Sequence, residues 1–300
     1  MAEVKPLKLV DQGGGVGALA EFGAGDTLPK SALPALSLAD VSGLGGFSGR
    51  NQIINGGFSV NQRAVTGTVT LAAGAYGHDR WKAGAGGCTY TFATAANITT
   101  ITISAGSLQQ VVEGLNLRSG PHTLSWSGTA SGRIGVGDYG ASGITATVTG
   151  GANITVEFNS GTLASVQLEL GTVATPFEHR PYGQELTLCQ RYCYRIENGG
   201  GGQPICNVGF TTSTTAAHGA FRFPVKMRAA PTFSILGGNA TSFSVLGAGG
   251  GDIALSALSV DQIGVDGCRL VATSSIGLAQ GSASVLRAAT SPIAIFSAEL

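Results

Sequence analysis

Strict two-residue alternation runs through most of this chain, and it limits the fold more than any other feature. Val65, Gly67, Val69 and Leu71 alternate with Thr66, Thr68 and Thr70; Ile101 and Ile103 with Thr100 and Thr102; Leu124 and Trp126 with Thr123 and Ser125. Ile144, Ala146 and Val148 alternate with Thr145 and Thr147, and Ile154, Val156 and Phe158 with Thr155 and Glu157. Val166, Leu168 and Leu170 alternate with Gln167 and Glu169. Successive side chains of a strand point to opposite faces, so each run predicts a strand with one buried and one polar face. Threonine, stiff at χ1 and polar at its tip, suits the outer face. Many short strands between glycine-rich turns predict an antiparallel sandwich, and no alternating βα unit interrupts them.

The alternation divides the chain. Residues 1–50 show neither a helical stripe nor repeated alternation, carry GGG at 13–15 and prolines at 29 and 34, and read as an extended arm that drapes over a partner. Residues 51–180 read as an antiparallel sandwich. Within 181–198 the stretch Gln184–Arg191 predicts a short helix, after which Tyr192, Tyr194 and Ile196 begin a strand. Residues 199–300 return to alternation, with Phe221, Phe223, Val225 and Met227 set between Arg222, Pro224, Lys226 and Arg228, and predict a second β-sandwich. The expected class is all-β throughout.

Charge narrows the function. Seventeen Lys and Arg balance seventeen Asp and Glu, and charged residues make up 11% of the chain against about 25% in an average domain. A neutral chain offers no footprint for a phosphate backbone, which excludes nucleic acid as a partner. A surface so poor in ions predicts burial against sister copies. The opening MAEVKPLKLVDQ lacks a basic segment followed by an apolar one, and no apolar run reaches eighteen residues, so neither a secretory leader nor membrane insertion is expected.

Catalytic and cofactor motifs are weak. Gly15-x-Gly17-x-x-Ala20 after a short apolar run imitates a dinucleotide loop, but Gly23, Gly25 and Pro29 break the helix that chemistry needs, so these glycines read as turn residues and no cofactor is expected. No nucleophile elbow, His-Glu-x-x-His motif or spaced carboxylate pair marks an enzyme. Cys88, Cys189, Cys193, Cys206 and Cys268 form an odd set unsuited to a disulfide framework. Cys189 and Cys193, with Cys206 and His179, sketch a zinc set but lack a Cys-x-x-Cys pair, so they read as small buried hydrophobes. Trp126 shares parity with Leu124 and is assigned to the core, as is Trp81, with Asp79 and Arg80 paired beside it. Tyr76, His78 and Tyr139 fall in glycine-rich loops and are the candidate surface contacts for a carbohydrate, whose apolar ring face stacks on aromatic side chains.

Two stretches are more specific. NQIINGGFSVNQR (51–63) with YGHDRWKAG (76–84) resembles the opening of a domain common in bacteriophage tail fibre and receptor-binding proteins. VQLELGTVATPFEHRPYGQELTLCQRYCYRI (166–196) is similar to that domain's exit, a motif shared with jelly-roll carbohydrate-binding modules. FRFPVKMRAAPTFSI (221–235) resembles a strand pair of the C-terminal β domain that often follows. Within these motifs Asn55-Gly56 is expected to close a hairpin, and Phe58 and Trp81 to fill the core. Glu169 is expected on the polar face, paired with Arg80 or Arg180, while Pro176 and Pro181 stop the last strand.

The resemblance implies that residues 51–180 form a carbohydrate-binding-module-like jelly roll, and that the chain is a homotrimeric virion protein, made in the bacterial cytoplasm, that docks to tail or baseplate proteins through residues 1–50 and holds a bacterial surface glycan without cleaving it. The alternatives are a collar, head or baseplate decoration protein with no host ligand, and a glycan-depolymerising tailspike.

Overall fold

The computed structural model describes residues 7–11, 17–21, 49–196, 204–206, 209–236, 238–247, 250–288 and 293–300. The chain divides into two compact units, Met1–Gly46 and Phe47–Leu300. In the first, strands β1 (Leu7–Asp11) and β2 (Gly17–Glu21) pair antiparallel, with Asp11 opposite Gly17. An antiparallel pair leaves no place for the parallel crossover of a dinucleotide site. It also gives the arm a hairpin that its scattered apolar residues did not predict.

The second unit is all-β with one α-helix among the described residues. Its first half contains β3 (Val69–Leu71), β4 (Lys82–Ala95), β5 (Ile98–Val112), β6 (Gly120–Ser127), β7 (Gly132–Ile134), β8 (Ile144–Val148), β9 (Ile154–Phe158) and β10 (Gly161–Leu170). One layer runs β3-β4-β5-β9-β7 and the other β10-β6-β8. Strand β10 belongs to both: Gly161–Leu163 pair with β5, and after a register shift at Ala164 the rest pairs with β6. The shift is a bulge, with Ser165 at φ 52°, and bulges bend strands where a sheet turns a corner.

Alternation fills the space between the layers. Ile101, Ile103, Leu108, Val156, Phe158, Leu124 and Leu168 are all at most 2% exposed, and Trp126 meets Phe158 edge-on at 5.1 Å. Both tryptophans are core residues as expected, each donating its indole N–H to a main-chain oxygen at 2.9 Å: Trp81 to Asn55, Trp126 to Ala130. Two strand expectations are corrected. The run 65–71 is extended only from Val69, and Gly67 at φ 61° lies in the turn before it. On β10 both faces are buried, Gln167 at 0% and Glu169 at 3%, whereas Leu170 is 49% exposed.

Helix α1 (Tyr182–Gln190) follows, then β11 (Cys193–Ile196), β12 (Gly209–Thr211), β13 (Ala216–Arg222), β14 (Thr232–Leu236), β15 (Phe243–Leu246), β16 (Asp252–Asp261), β17 (Gly267–Ser274), β18 (Ala283–Ala288) and β19 (Ile293–Ser297). In place of a second open sandwich, six strands close in the order β12-β13-β17-β16-β15-β18, and β11-β19-β14 form a three-stranded sheet. Closure removes the exposed strand edges that an uncharged sheet would otherwise present. The run 221–228 is a strand only to Arg222. Its Phe221 and Phe223 join Phe296 and Phe233 in one aromatic cluster, with Phe221 and Phe296 stacked at 5.5 Å. Each half has its own apolar core. A third cluster, Ile54, Val60, Cys189 and Tyr192 with Leu300, joins them.

Candidate functional site

Strand register builds a polar row across the outer face of the five-stranded layer. Lys82 on β4 lies opposite Gln109 on β5, Gln109 opposite Glu157 on β9, and Glu157 opposite Arg133 on β7. The residues beside them, Ala83, Leu108, Val156 and Ile134, point into the core and are at most 6% exposed. Adjacent strands lie about 4.8 Å apart, so the row spans about 14 Å. A tyrosine closes each end. The Lys82 ammonium lies 5.9 Å from the Tyr76 ring centre, and the Arg133 guanidinium 4.6 Å from that of Tyr139.

The centre of the row is fixed. Arg133 donates to one Glu157 oxygen through Nε at 2.9 Å and Nη2 at 2.5 Å, and Ser107 donates to the other at 2.5 Å. Burial by itself would raise the Glu157 carboxyl, but the hydrogen bonds from Ser107, Arg133 and Tyr139 outweigh it and hold the group below the ordinary carboxylate value. Gly84 makes this possible: a Cβ there would stand 2.1 Å from Ser107 Oγ and 2.6 Å from the Glu157 carboxylate. Glu157 is the single carboxylate of the row. The arrangement therefore offers two ring faces, an amide and an oriented ion pair for binding, and lacks the second carboxyl group that glycoside hydrolysis requires.

Two of the three candidate carbohydrate contacts stand at the ends of this row. Tyr139 is 38% exposed. Tyr76 is half-buried; its hydroxyl donates to the Leu300 main-chain oxygen, which also accepts from Lys82 Nζ at 2.8 Å. Burial pushes the Tyr76 phenol up to about 12. His78 does not belong with them, being only 2% exposed. It packs edge-on against Phe92 at 4.5 Å and bonds Tyr90 Oη at 3.0 Å, because the loop that carries it folds over the end of the core. Burial lowers the imidazole to about 4.

The motif residues converge elsewhere, on the junction between the halves. Asn55, at φ 58° and fully buried, accepts from the Val60 N–H and donates to the carbonyls of Val60 and Asp79. It makes a turn but closes no hairpin, since no strand flanks it. Gly56 lies where a Cβ would come within 2.1 Å of the Val166 oxygen. Phe58, 2% exposed, packs on Trp81 with ring centres 4.8 Å apart.

The expected ion pairs are all different. Asp79 accepts from Gln62 N and Nε2 at 2.7 and 2.5 Å rather than from Arg80. Arg80 pairs with Glu299, the two side chains 1% and 4% exposed, and lies 3.6 Å above the Tyr192 ring. Arg180 pairs with Glu185 at 3.3 Å, and Glu169 accepts from Thr175 and Gln167 with Arg50 at 3.9 Å. Sequence proximity suggested the Asp79–Arg80 pair alone. The Arg80–Glu299 and Arg50–Glu169 pairs join residues more than a hundred positions apart, whereas Asp79 and Arg180 take partners close by in the chain. Pro176 does not end β10, which stops at Leu170; its carbonyl instead accepts from Arg50 at 2.6 Å. Pro181 caps the start of α1.

No group of three or more His, Cys, Asp or Glu able to hold a metal occurs among the described residues. Cys189 and Cys193 are fully buried, and burial raises both thiols. The row itself was not legible in the sequence. Its four members lie on four strands, and of them only Glu157 fell on the polar phase of an alternating run. Compared with protein-family models, with curated proteins and with solved structures, the chain gives no match.

Proposed function

We propose that this chain is a homotrimeric phage tail fibre or receptor-binding subunit whose jelly-roll half binds a bacterial surface glycan along the Lys82–Arg133 row without cleaving it. The observation that carries the reading is the row itself: a rigid polar track with a tyrosine ring at each end, on the outer face of a sandwich. Ring faces stack on the apolar faces of pyranoses, while amide and charged groups meet hydroxyl groups. A shallow track binds weakly, and several copies on one particle raise avidity through effective concentration. Large apolar side chains left in solvent, including Leu115 at 81% and Ile98 at 54%, together with the scarcity of charge, support assembly with sister copies. The proposed virion-attachment arm, residues 1–50, lies largely outside the described residues.

The test is binding of the full chain to host cells and to purified surface polysaccharide. Tyr139→Ala and Arg133→Ala should each weaken binding about tenfold, the equivalent of about 1.4 kcal/mol. Unchanged binding in both would remove the row from the reading. A second reading, a decoration protein with no host ligand, is favoured by one observation: the motif residues are interior and hold the two halves together. Absence of binding to any host surface, with incorporation into particles intact, would select it.

A further inference from the structure

We propose a second ligand site, for an uncharged saccharide, in the groove between the β4–β5 hairpin tip and the start of α1. The groove has a volume of about 500 Å³, within the range of small-molecule sites. It shares no residue with the polar row. Phe58, His78 and Phe92 form its floor, with His78 edge-on to both rings at 6.2 and 4.5 Å. This floor is apolar and, with the imidazole held neutral by burial, carries no charge near pH 7.

The rim is polar and unsatisfied. Tyr182 is 59% exposed, at the first position of a helix whose Glu185 and Cys189 turn inward. Asn97 stands at the hairpin tip in the left-handed region, φ 63°, beside a cross-strand Thr94–Thr99 hydroxyl pair at 2.9 Å. Ser59 and His179 are exposed on the other side. Among the described residues, none of the side chains of Ser59, Asn97, His179 and Tyr182 makes a hydrogen bond. The structure thus presents one exposed ring, a free amide, a hydroxyl and an imidazole around an aromatic floor.

Charge selects the occupant. No carboxylate lines the groove. The one guanidinium there, Arg180, is already occupied by Glu185 and by the main-chain oxygens of Ile53 and Asn51. A charged ligand would lose hydration with no counter-ion to replace it. A purely apolar ligand would strip water from Asn97 and Ser59 and leave them unpaired. A neutral pyranose satisfies both requirements, with its apolar face on Tyr182 or on the partly exposed Phe92 and its hydroxyls on the rim.

The experiment uses the full chain and the methyl glycosides of glucose, galactose, mannose and N-acetylglucosamine, read by saturation-transfer NMR and titration. At least one should bind in the millimolar range. Tyr182→Ala and Asn97→Ala should each weaken it about tenfold, Tyr182→Phe should retain it, and Tyr139→Ala should leave it unchanged. Both sites of substitution are exposed, and thermal melts confirm that the variants fold. The proposal is overturned if none of the four binds, if binding survives both alanine variants, or if a sialic or uronic acid or an apolar peptide binds in their place. Loss of polysaccharide binding in Tyr139→Ala with these glycosides still bound would separate the two sites.

Discussion

Replacing Glu299 with Gln tests how the two halves are held together. Glu299 faces two guanidinium groups, Arg80 and, at 3.2 Å, Arg63, whose side chains are 1% and 10% exposed. Removing its charge leaves both cations buried, and breaking a buried pair in this way costs about 3–5 kcal/mol. Removing Arg63 instead leaves Glu299 with Arg80, so Arg63→Met should cost about 1.5–3 kcal/mol, the worth of one charge-assisted hydrogen bond. For a unit of this size each kcal/mol moves Tm by about 2–4 °C, so Glu299→Gln should lower Tm by about 6–20 °C and Arg63→Met by about 3–12 °C. Calorimetry gives both shifts, and tryptophan fluorescence follows the junction directly, because Trp81 adjoins Arg80 in the chain. Equal losses from the two substitutions, or a Glu299→Gln cost under about 1 kcal/mol, would refute the view that one carboxylate neutralises both cations.

Other outcomes follow from the buried groups and the surface. His78 has a folded pKa of about 4 against an ordinary value of 6.5, so the unfolded chain takes up its proton first. Stability should therefore fall by about 3 kcal/mol as pH drops from 6.5 to 4 and level off below, and His78→Gln should flatten that slope in urea titrations. Burial pushes the Cys88 thiol up to about 11 and that of Cys268 to about 12, so native alkylation at pH 7.5 should leave both unlabelled by mass spectrometry, and labelling of either without denaturant would contradict their burial. Gly84→Val should displace Ser107 and Glu157 and abolish polysaccharide binding while sparing glycoside binding at the groove. Light scattering should give about 90 kDa for a trimer of the 30.0 kDa chain; a monomer at micromolar concentration would contradict the assembly.

The strands were legible because a period of two is local information. Ile101, Ile103 and Leu124 could be placed in the core from their neighbours alone. Register was not legible. The opposition of Gln109 to Glu157 depends on how β5 and β9 meet, and the closure of the C-terminal strands depends on β12 meeting β18. The misjudged ion pairs have the same origin. Arg80 was given its sequence neighbour Asp79, but a buried cation takes the carboxylate that the fold delivers, here Glu299. His78 was read as a loop residue on account of its flanking glycine, yet that loop closes over the core, and burial follows from where a loop lies rather than from its composition. Tyr76 and Tyr139 were found by residue type; the polar track between them was not.

The Arg80–Glu299 contact also has a consequence for biosynthesis. Its partners are 219 positions apart. At about 5–20 residues per second, a ribosome needs roughly ten to forty seconds after making Arg80 to supply the carboxylate. From the completion of β10 at Leu170 until Glu299 is made, the guanidinium has no counter-ion, so the last increment of the sandwich's stability arrives only when β19 and the residues after it dock. Maturation of the first half is thereby timed by translation of the second.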